Sequence, residues 1–266
     1  MTDMRVLWDS LNKKGEFDFI SHLQSGAQWD QVEFHLTGIR FVERMAERFS
    51  CFGKTPLSHS SILEIGCGVG RFLRPLSGRF KLVFGVDISE QMLSSAKKHC
   101  ASLPNILLSQ TDGKSLSQFE DDSVDYVVSA GVFQHITDFD AILSYIREGL
   151  RVLRPHGLML FQFEGNRTSE TGSGQVGAKI TARGLDLGLQ KETFKILEVS
   201  EDPTDKVRNI VVVIQKCPPE TAEGKLFTQF PIQKKAWLEG VYDDIKTKTR
   251  MHERQAAPEL ELTFYD

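Results

Sequence analysis

The stretch at residues 61–87, S-I-L-E-I-G-C-G-V-G-R-F-L-R-P-L-S-G-R-F-K-L-V-F-G-V-D, constrains the chain more than any other. Ile62, Leu63 and Ile65 form a short apolar run that ends in Gly66, the pattern of a strand buried on both faces and feeding a turn. The glycines at 66, 68 and 70 let the backbone turn sharply and approach a ligand, and residues 71–76 are expected to continue as a helix. Residues 81–86 repeat the buried-strand pattern and close on Asp87. Strand, glycine turn, helix, strand and acid make half of a nucleotide-binding unit, and a carboxylate at that place can accept hydrogen bonds from both hydroxyls of a ribose.

Glycine spacing separates the ligand classes. A G-x-G-x-x-G turn sets a pyrophosphate on a helix N-terminus, whereas the spacing here is G-x-G-x-G, preceded by Glu64. An anion beside the loop repels a pyrophosphate and suits a ligand with a cationic centre and an ammonium group. The phrase E-I-G-C-G-V-G resembles the first motif of the class I S-adenosylmethionine-dependent methyltransferases: an acidic residue, any residue, then G-x-G-x-G.

The resemblance covers roughly residues 61–216. D-S-V-D-Y-V-V-S-A at 122–130 is similar to the family's fourth-strand phrase, with Val124 and Tyr126 where Phe and a small apolar residue are frequent. The loop that follows, Gly131-Val132-Phe133-Gln134-His135-Ile136-Thr137-Asp138, lacks the Asn or Asp, paired prolines and aromatic of enzymes that methylate amino groups of adenine or glutamine. It resembles instead the Leu/Phe-x-His-Ile/Leu phrase of the small-molecule branch, which methylates hydroxyl, amine or carbon centres. L-R-P-H-G at 153–157 looks like the family's turn into the fifth strand, with His156 replacing a glycine as a solvated turn residue.

The resemblance implies S-adenosyl-L-methionine as cofactor and a set of contacts to it. Gly66, Cys67 and Gly68 belong to the turn, Glu64 precedes it, and Asp87 takes the ribose. Ile88 lies against the adenine, Asp112 beside Gly113 accepts the adenine amino group, and Met92, Ala130 and Gly131 complete the wall. The pair Thr37-Gly38 covers the methionine end. Two plainer readings stay open: close helix packing at Gly38, and a turn carboxylate in the D-G pair at Asp112. His135 is the titratable side chain on the loop where an acceptor would meet the methyl group. It is either a general base toward a hydroxyl or a loop-fixing residue that donates a ring N–H to a carbonyl. No metal is expected, since the loop after the fourth strand carries no His/Glu cluster.

Alternating strand and helix patterns give the fold class: an α/β, three-layer doubly wound sandwich. A seven-stranded, mostly parallel sheet with the last strand antiparallel is carried over from the family. A helical N-terminal lid and a C-terminal extension flank it, dividing the chain at 1–58, 59–217 and 218–266. Residues 1–29 form the lid, and Asp30 caps a helix with an apolar stripe of Val32, Leu36, Ile39, Val42, Met45 and Phe49. Ser89 caps a helix over 90–100, strands follow at 106–110 and 124–130, and a helix over 139–153 leads to a fifth strand at 158–163. The Gly/Ser/Thr-rich stretch at 164–177 has the length of a functional loop, and a helix over 178–189 follows it. Strands at 194–199 and 209–216 read as a hairpin at the sheet edge. Past them, Trp237, Val241 and Ile245 share a helical face that packs on the main domain or on a second subunit in a homodimer.

Composition bounds the partners. A net charge of −4 gives no global attraction to nucleic acid or anionic membrane, and Cys51, Cys67, Cys100 and Cys217 are scattered without a C-x-x-C pair. With charged residues at Asp3, Arg5 and Asp9 and no long apolar run, neither a signal peptide nor a membrane span is expected, and a cytoplasmic setting fits. The expected partner is a small-molecule methyl acceptor. Alternatives are a non-catalytic cofactor-binding or scaffold protein, a protein or RNA methyltransferase, a nicotinamide oxidoreductase and an aminopropyl transferase. Glu64 and the shorter glycine spacing oppose the oxidoreductase, and Glu164 and Glu170 are too few for a polyamine pocket.

Overall fold

The computed structural model describes residues 4–12, 31–164, 177–201, 209–218 and 226–234. In chain order its elements are α1 (Met4–Asn12), α2 (Gln31–Phe52), β1 (Ser61–Ile65), α3 (Leu73–Ser77), β2 (Leu82–Asp87), α4 (Glu90–His99) and β3 (Ile106–Gln110). They continue with β4 (Val124–Ser129), α5 (Phe139–Val152), β5 (Leu153–Glu164), α6 (Ala182–Gly188), β6 (Phe194–Glu201), β7 (Asn209–Lys216) and β8 (Gln233–Lys234).

The apolar run at β1 occupies the middle of the sheet, parallel to β2 on one side and to β4 on the other. The full order is β3-β2-β1-β4-β5-β7-β6-β8. The chain therefore runs outward from β1 to β3 and returns across it to β4, a switch point whose crevice opens at the carboxyl ends of β1 and β4. Ile62, Leu63, Val127, Val128 and Leu160 are fully or almost fully buried, as expected for central strands covered on both faces.

β7 runs antiparallel to both β5 and β6, so the reversed last strand of the seven is present. Its hairpin with β6 does not simply add at the edge: β7 inserts beside β5 and leaves β6 outside it. An eighth, two-residue strand then pairs parallel with β6, through Ser200–Gln233 and Glu201–Lys234. It satisfies backbone groups that an edge strand would leave exposed. Residues 226–234, assigned from the sequence to an extension beyond 217, thus return to the core. The Asp186 carboxylate accepts the N–H groups of Phe227 and Thr228, and Phe227 is buried.

Some boundaries and faces differ from the sequence reading. In α2, Val32 and Ile39 are 52% and 41% exposed, and the buried stripe runs through Phe34, Phe41, Val42, Met45 and Phe49. Aromatic packing sets this rotation, with Phe41 stacked on Phe72 at 4.6 Å and Phe49 on Tyr126 at 4.7 Å. α3 starts at Leu73 rather than 71, which leaves Arg71 and Phe72 in the turn. α6 starts at Ala182, where Thr181 caps it by accepting the Gly184 N–H. His156 is exposed with φ 68°, taking the left-handed conformation of the glycine it replaces. The Asp30 cap, most of the lid, the loop after β5, the hairpin turn and the residues beyond 234 lie outside the described residues. Among the described residues, no helix is long and apolar enough to cross a membrane.

Candidate active site

The glycine turn is built by two constraints of opposite kind. Gly66 has φ 77°, and a Cβ there would stand 2.4 Å from Val132 Cγ2, because the loop after β4 closes onto the turn. Gly68 has φ 53°, and a Cβ there would meet nothing within 4 Å, because this residue faces open space. Its N–H donates to Asp87 Oδ2 at 2.8 Å, and the Ser89 N–H donates to Asp87 Oδ1 at 2.9 Å. The carboxylate is thereby fixed across the turn at the end of β2, with acceptor capacity left over. Burial raises the Asp87 carboxyl above its ordinary value, against the pull of the Ser89 and Gly68 N–H groups.

Ser89 also caps α4, accepting the Met92 N–H at 3.1 Å. Its hydroxyl donates to Asp9 Oδ1 at 2.5 Å, so α1 is fastened to the start of α4. From that anchor α1 lays Met4 and Trp8 on the wall of a cavity of about 250 Å³ at the switch point.

Every residue that the sequence names as a cofactor contact lies on this wall, Thr37 and Gly38 excepted. A Cβ on Gly38 would come within 2.4 Å of the Arg71 carbonyl oxygen, so its bareness serves close packing of α2 on the turn. Asp112 lines the cavity and also holds its own turn, accepting the N–H groups of Lys114 and Ser115 and the Ser115 hydroxyl. The Lys114 and Ser115 N–H groups hold its carboxyl below the usual range.

Glu64 is the electrostatic centre. It is 3% exposed, it lines the cavity, and its Oε2 has no hydrogen-bond partner among the described residues. Burial holds its carboxyl well above the ordinary value; the Arg71 charge opposes this and the Asp87 charge adds to it. Burial likewise pushes the Cys67 thiol far up, which makes it an apolar wall residue and not a nucleophile.

His135 ends a 3₁₀ turn, Phe133–His135, and meets the Trp8 ring edge-on at 5.3 Å. The backbone on either side of it is tied down from outside. The Gly177 N–H donates to the Gln134 carbonyl at 2.7 Å and the Ala178 N–H to the Ile136 carbonyl at 2.6 Å. An ion pair at 3.3 Å between Lys114 and Asp138 joins the loops after β3 and β4 at the rim.

The sequence reading missed several wall residues. Arg71 was absorbed into the expected helix, although a cation directly after the last glycine of the turn was a visible signal. Trp8 belongs to the stretch 1–29 read only as a lid. Tyr145 interrupts the apolar face of α5 with a hydroxyl 3.4 Å from Thr111 Oγ1, and burial is the main cause that pushes it up to about 12.

Comparison with known proteins agrees with this geometry. Residues 63–161 match the family model described as a methyltransferase domain. A demethylmenaquinone methyltransferase of Staphylococcus epidermidis is 36% identical over 104 residues, 38% of this chain and 42% of that one. A malonyl-[acyl-carrier protein] O-methyltransferase of Halalkalibacterium halodurans is 30% identical over 146 residues, 51% of this chain and 52% of that one. The chain thus spans about half the length, or less, of the curated relatives it matches. Among solved structures, a magnesium protoporphyrin IX methyltransferase from Synechocystis with bound SAH superposes with a TM-score of 0.60 at 19% identity, covering 80% of this chain and all of that one. A phosphoethanolamine N-methyltransferase of Haemonchus contortus gives 0.62 at 14% identity, covering 94% and 55%. Residues 63–161 are therefore similar to a methyltransferase domain, and the chain shares the fold of these solved methyltransferases.

Proposed function

We propose that the protein transfers a methyl group from S-adenosylmethionine to a small-molecule acceptor. The observation that carries this reading is the unpaired, buried Glu64 oxygen opening into the same cavity as Asp87. A buried carboxylate without a partner is costly, and an ammonium group placed against it removes the cost. Asp87 offers its remaining lone pairs to a ribose, Gly68 leaves room for close approach, and Ile88 and Met92 supply an apolar wall for a base. The residues present fit the cofactor.

When bound, S-adenosylmethionine supplies a methyl group on a sulfonium, a good leaving group. The protein's share is to hold an acceptor in line and exclude water. Trp8 and Met4 from α1, with Val132 and Ile136 from the loop after β4, give an apolar lining suited to that task. For a hydroxyl acceptor, His135 on that loop takes the proton; this is the role we propose for it. The named relatives act on small molecules or on an acyl-carrier-bound acid, and the net charge of −4 offers nucleic acid no general attraction. These points support a small-molecule acceptor.

Calorimetry with S-adenosylhomocysteine and NADH, followed by turnover of S-adenosylmethionine against a panel of hydroxylated, amine and activated-carbon acceptors, tests the proposal. Binding of the first nucleoside alone and methylation of one acceptor class are expected. Tight binding without turnover of any acceptor would favour the scaffold reading, and preference for NADH would overturn both.

A further inference from the structure

Resting on the reading of His135 as the residue that meets the acceptor, we propose that Gly177 and Ala178 are positioning residues for the methyl transfer. Their backbone N–H groups grip the turn that carries His135 on both sides of it and fix where its ring stands in the cavity.

The turn after β4 holds itself weakly. Two bonds close it, from the His135 N–H to the Val132 carbonyl at 2.9 Å and from the Ile136 N–H to the Phe133 carbonyl at 3.2 Å. A 3₁₀ turn of three residues has poorly aligned bonds and nothing to continue them. Phe133 anchors its inner side, fully buried with its ring 6.5 Å from that of Tyr145 and 5.9 Å from that of Phe161. That anchor fixes residue 133 but not the ring two positions on.

The carbonyls that flank His135 are taken by consecutive residues, Gln134 by the Gly177 N–H at 2.7 Å and Ile136 by the Ala178 N–H at 2.6 Å. Two such bonds set the orientation of the turn as well as its distance. Residue 177 is bare for this contact, since a Cβ there would run into the Gln134 carbonyl and stand 2.9 Å from the Ile136 oxygen. Any side chain would push the two segments apart. The gripping residues are held in turn by α6. Ile180 is buried, and a Cβ on Gly184 would stand 3.0 Å from the Phe139 ring and one on Gly188 2.5 Å from Leu143 Cδ1, so α6 lies close on α5. Arg147 of α5 donates to the Gly188 carbonyl at 2.6 Å. Because α5 begins directly after the acceptor-facing turn, turn, α5, α6 and residues 177–181 form a closed frame. On it the His135 ring meets Trp8 at the cavity wall. Gly177 and Ala178 are not among the residues lining the cavity, so they act on the reaction through His135.

Proton NMR of the His135 ring tests this, with the signal assigned by its loss in His135→Gln. The Trp8 ring current should displace that signal from the position of an exposed histidine, and Trp8→Leu should return it there. Gly177→Ala, and Ala178→Pro, which deletes one of the two donors, should move it toward the Trp8→Leu position. Both should keep S-adenosylhomocysteine affinity within about threefold of wild type by calorimetry. With the acceptor methylated in the panel of hydroxylated, amine and activated-carbon compounds, they should lower kcat by about 10- to 100-fold. Gly149→Ala is the control: its Cβ would stand 2.7 Å from Met159 Sδ in the core, so it should lower stability and leave the His135 signal in place. An unmoved signal in both variants, or an equal movement in Gly149→Ala, overturns the proposal. Loss of S-adenosylhomocysteine binding in both variants would mark a general structural role and also overturn it. A displaced ring with unchanged kcat overturns the proposal together with the role of His135. A wild-type protein that does not bind S-adenosylhomocysteine overturns the cofactor reading and leaves the grip on the turn standing.

Discussion

Glu64→Gln should make the ligand-free protein more stable at neutral pH and less able to bind its cofactor. The ordinary carboxyl value is 4.5, and burial, opposed by Arg71 and assisted by Asp87, raises Glu64 well above it in the folded protein. The folded state therefore binds the proton more tightly than the unfolded chain, so Glu64 subtracts stability as pH rises. The loss begins near the ordinary value, grows by up to about 1.4 kcal/mol per pH unit, and levels off once pH passes the raised value. Glutamine has no such titration. In urea denaturation from about pH 4 to pH 8, the difference in stability between variant and wild type should grow with pH and then flatten. Saturating S-adenosylhomocysteine should shrink or reverse the difference, because only the carboxylate compensates the ammonium and the tighter-binding protein gains more from ligand. A difference that stays constant across the pH range would refute the reasoning, since Glu64 would then titrate alike in both states.

Asp87→Ala removes the acceptor that fixes the Gly68 and Ser89 N–H groups and leaves the ribose without its carboxylate. S-adenosylhomocysteine binding should weaken by about 1.5 to 3 kcal/mol by calorimetry, and an unchanged affinity would remove the ribose role. His135→Gln should lower turnover of a hydroxyl acceptor by about 10²- to 10⁴-fold with cofactor affinity retained and the acidic limb of the pH–rate profile lost. Turnover within a few-fold of wild type, or a preserved profile with weaker cofactor binding, would instead mark a loop-fixing residue. Asp9→Ala cuts the link between α1 and Ser89, so amides of residues 4–12 should exchange faster and S-adenosylhomocysteine should dissociate faster; equal rates in stopped-flow and hydrogen-exchange measurements would show that α1 is held by other contacts.

The parts of the site legible in the sequence are those dictated by backbone geometry. A buried strand, a turn requiring positive φ and a carboxylate one strand later are local patterns, so Gly66, Gly68, Glu64 and Asp87 could be read from 61–87 together with the parallel pairing that sets β1 beside β2. The cap at Ser89 is local in the same way, accepting the Met92 N–H. At His156 the punctuation by Pro155 and Gly157 marked a special backbone angle, φ 68°, but not a turn, since β5 runs from Leu153 to Glu164 through it.

Tertiary structure decided what depends on contacts distant in sequence. Gly38 could not be assigned from its own helix, since the atom that forbids a side chain is the carbonyl of Arg71, carried on the turn after β1. The apolar spacing of α2 placed Val42, Met45 and Phe49 inward, but packing on Phe72 and Tyr126 brought in Phe41 and left Val32 and Ile39 outside. Arg71 became a wall residue because α3 starts late, and Trp8 reached His135 because Asp9 fastens α1 to α4. Sequence periodicity reports which residues share a face and which positions need special backbone angles. Which face meets which neighbour depends on the packing of elements that the chain joins only through folding, and there the residues that close the cavity are chosen.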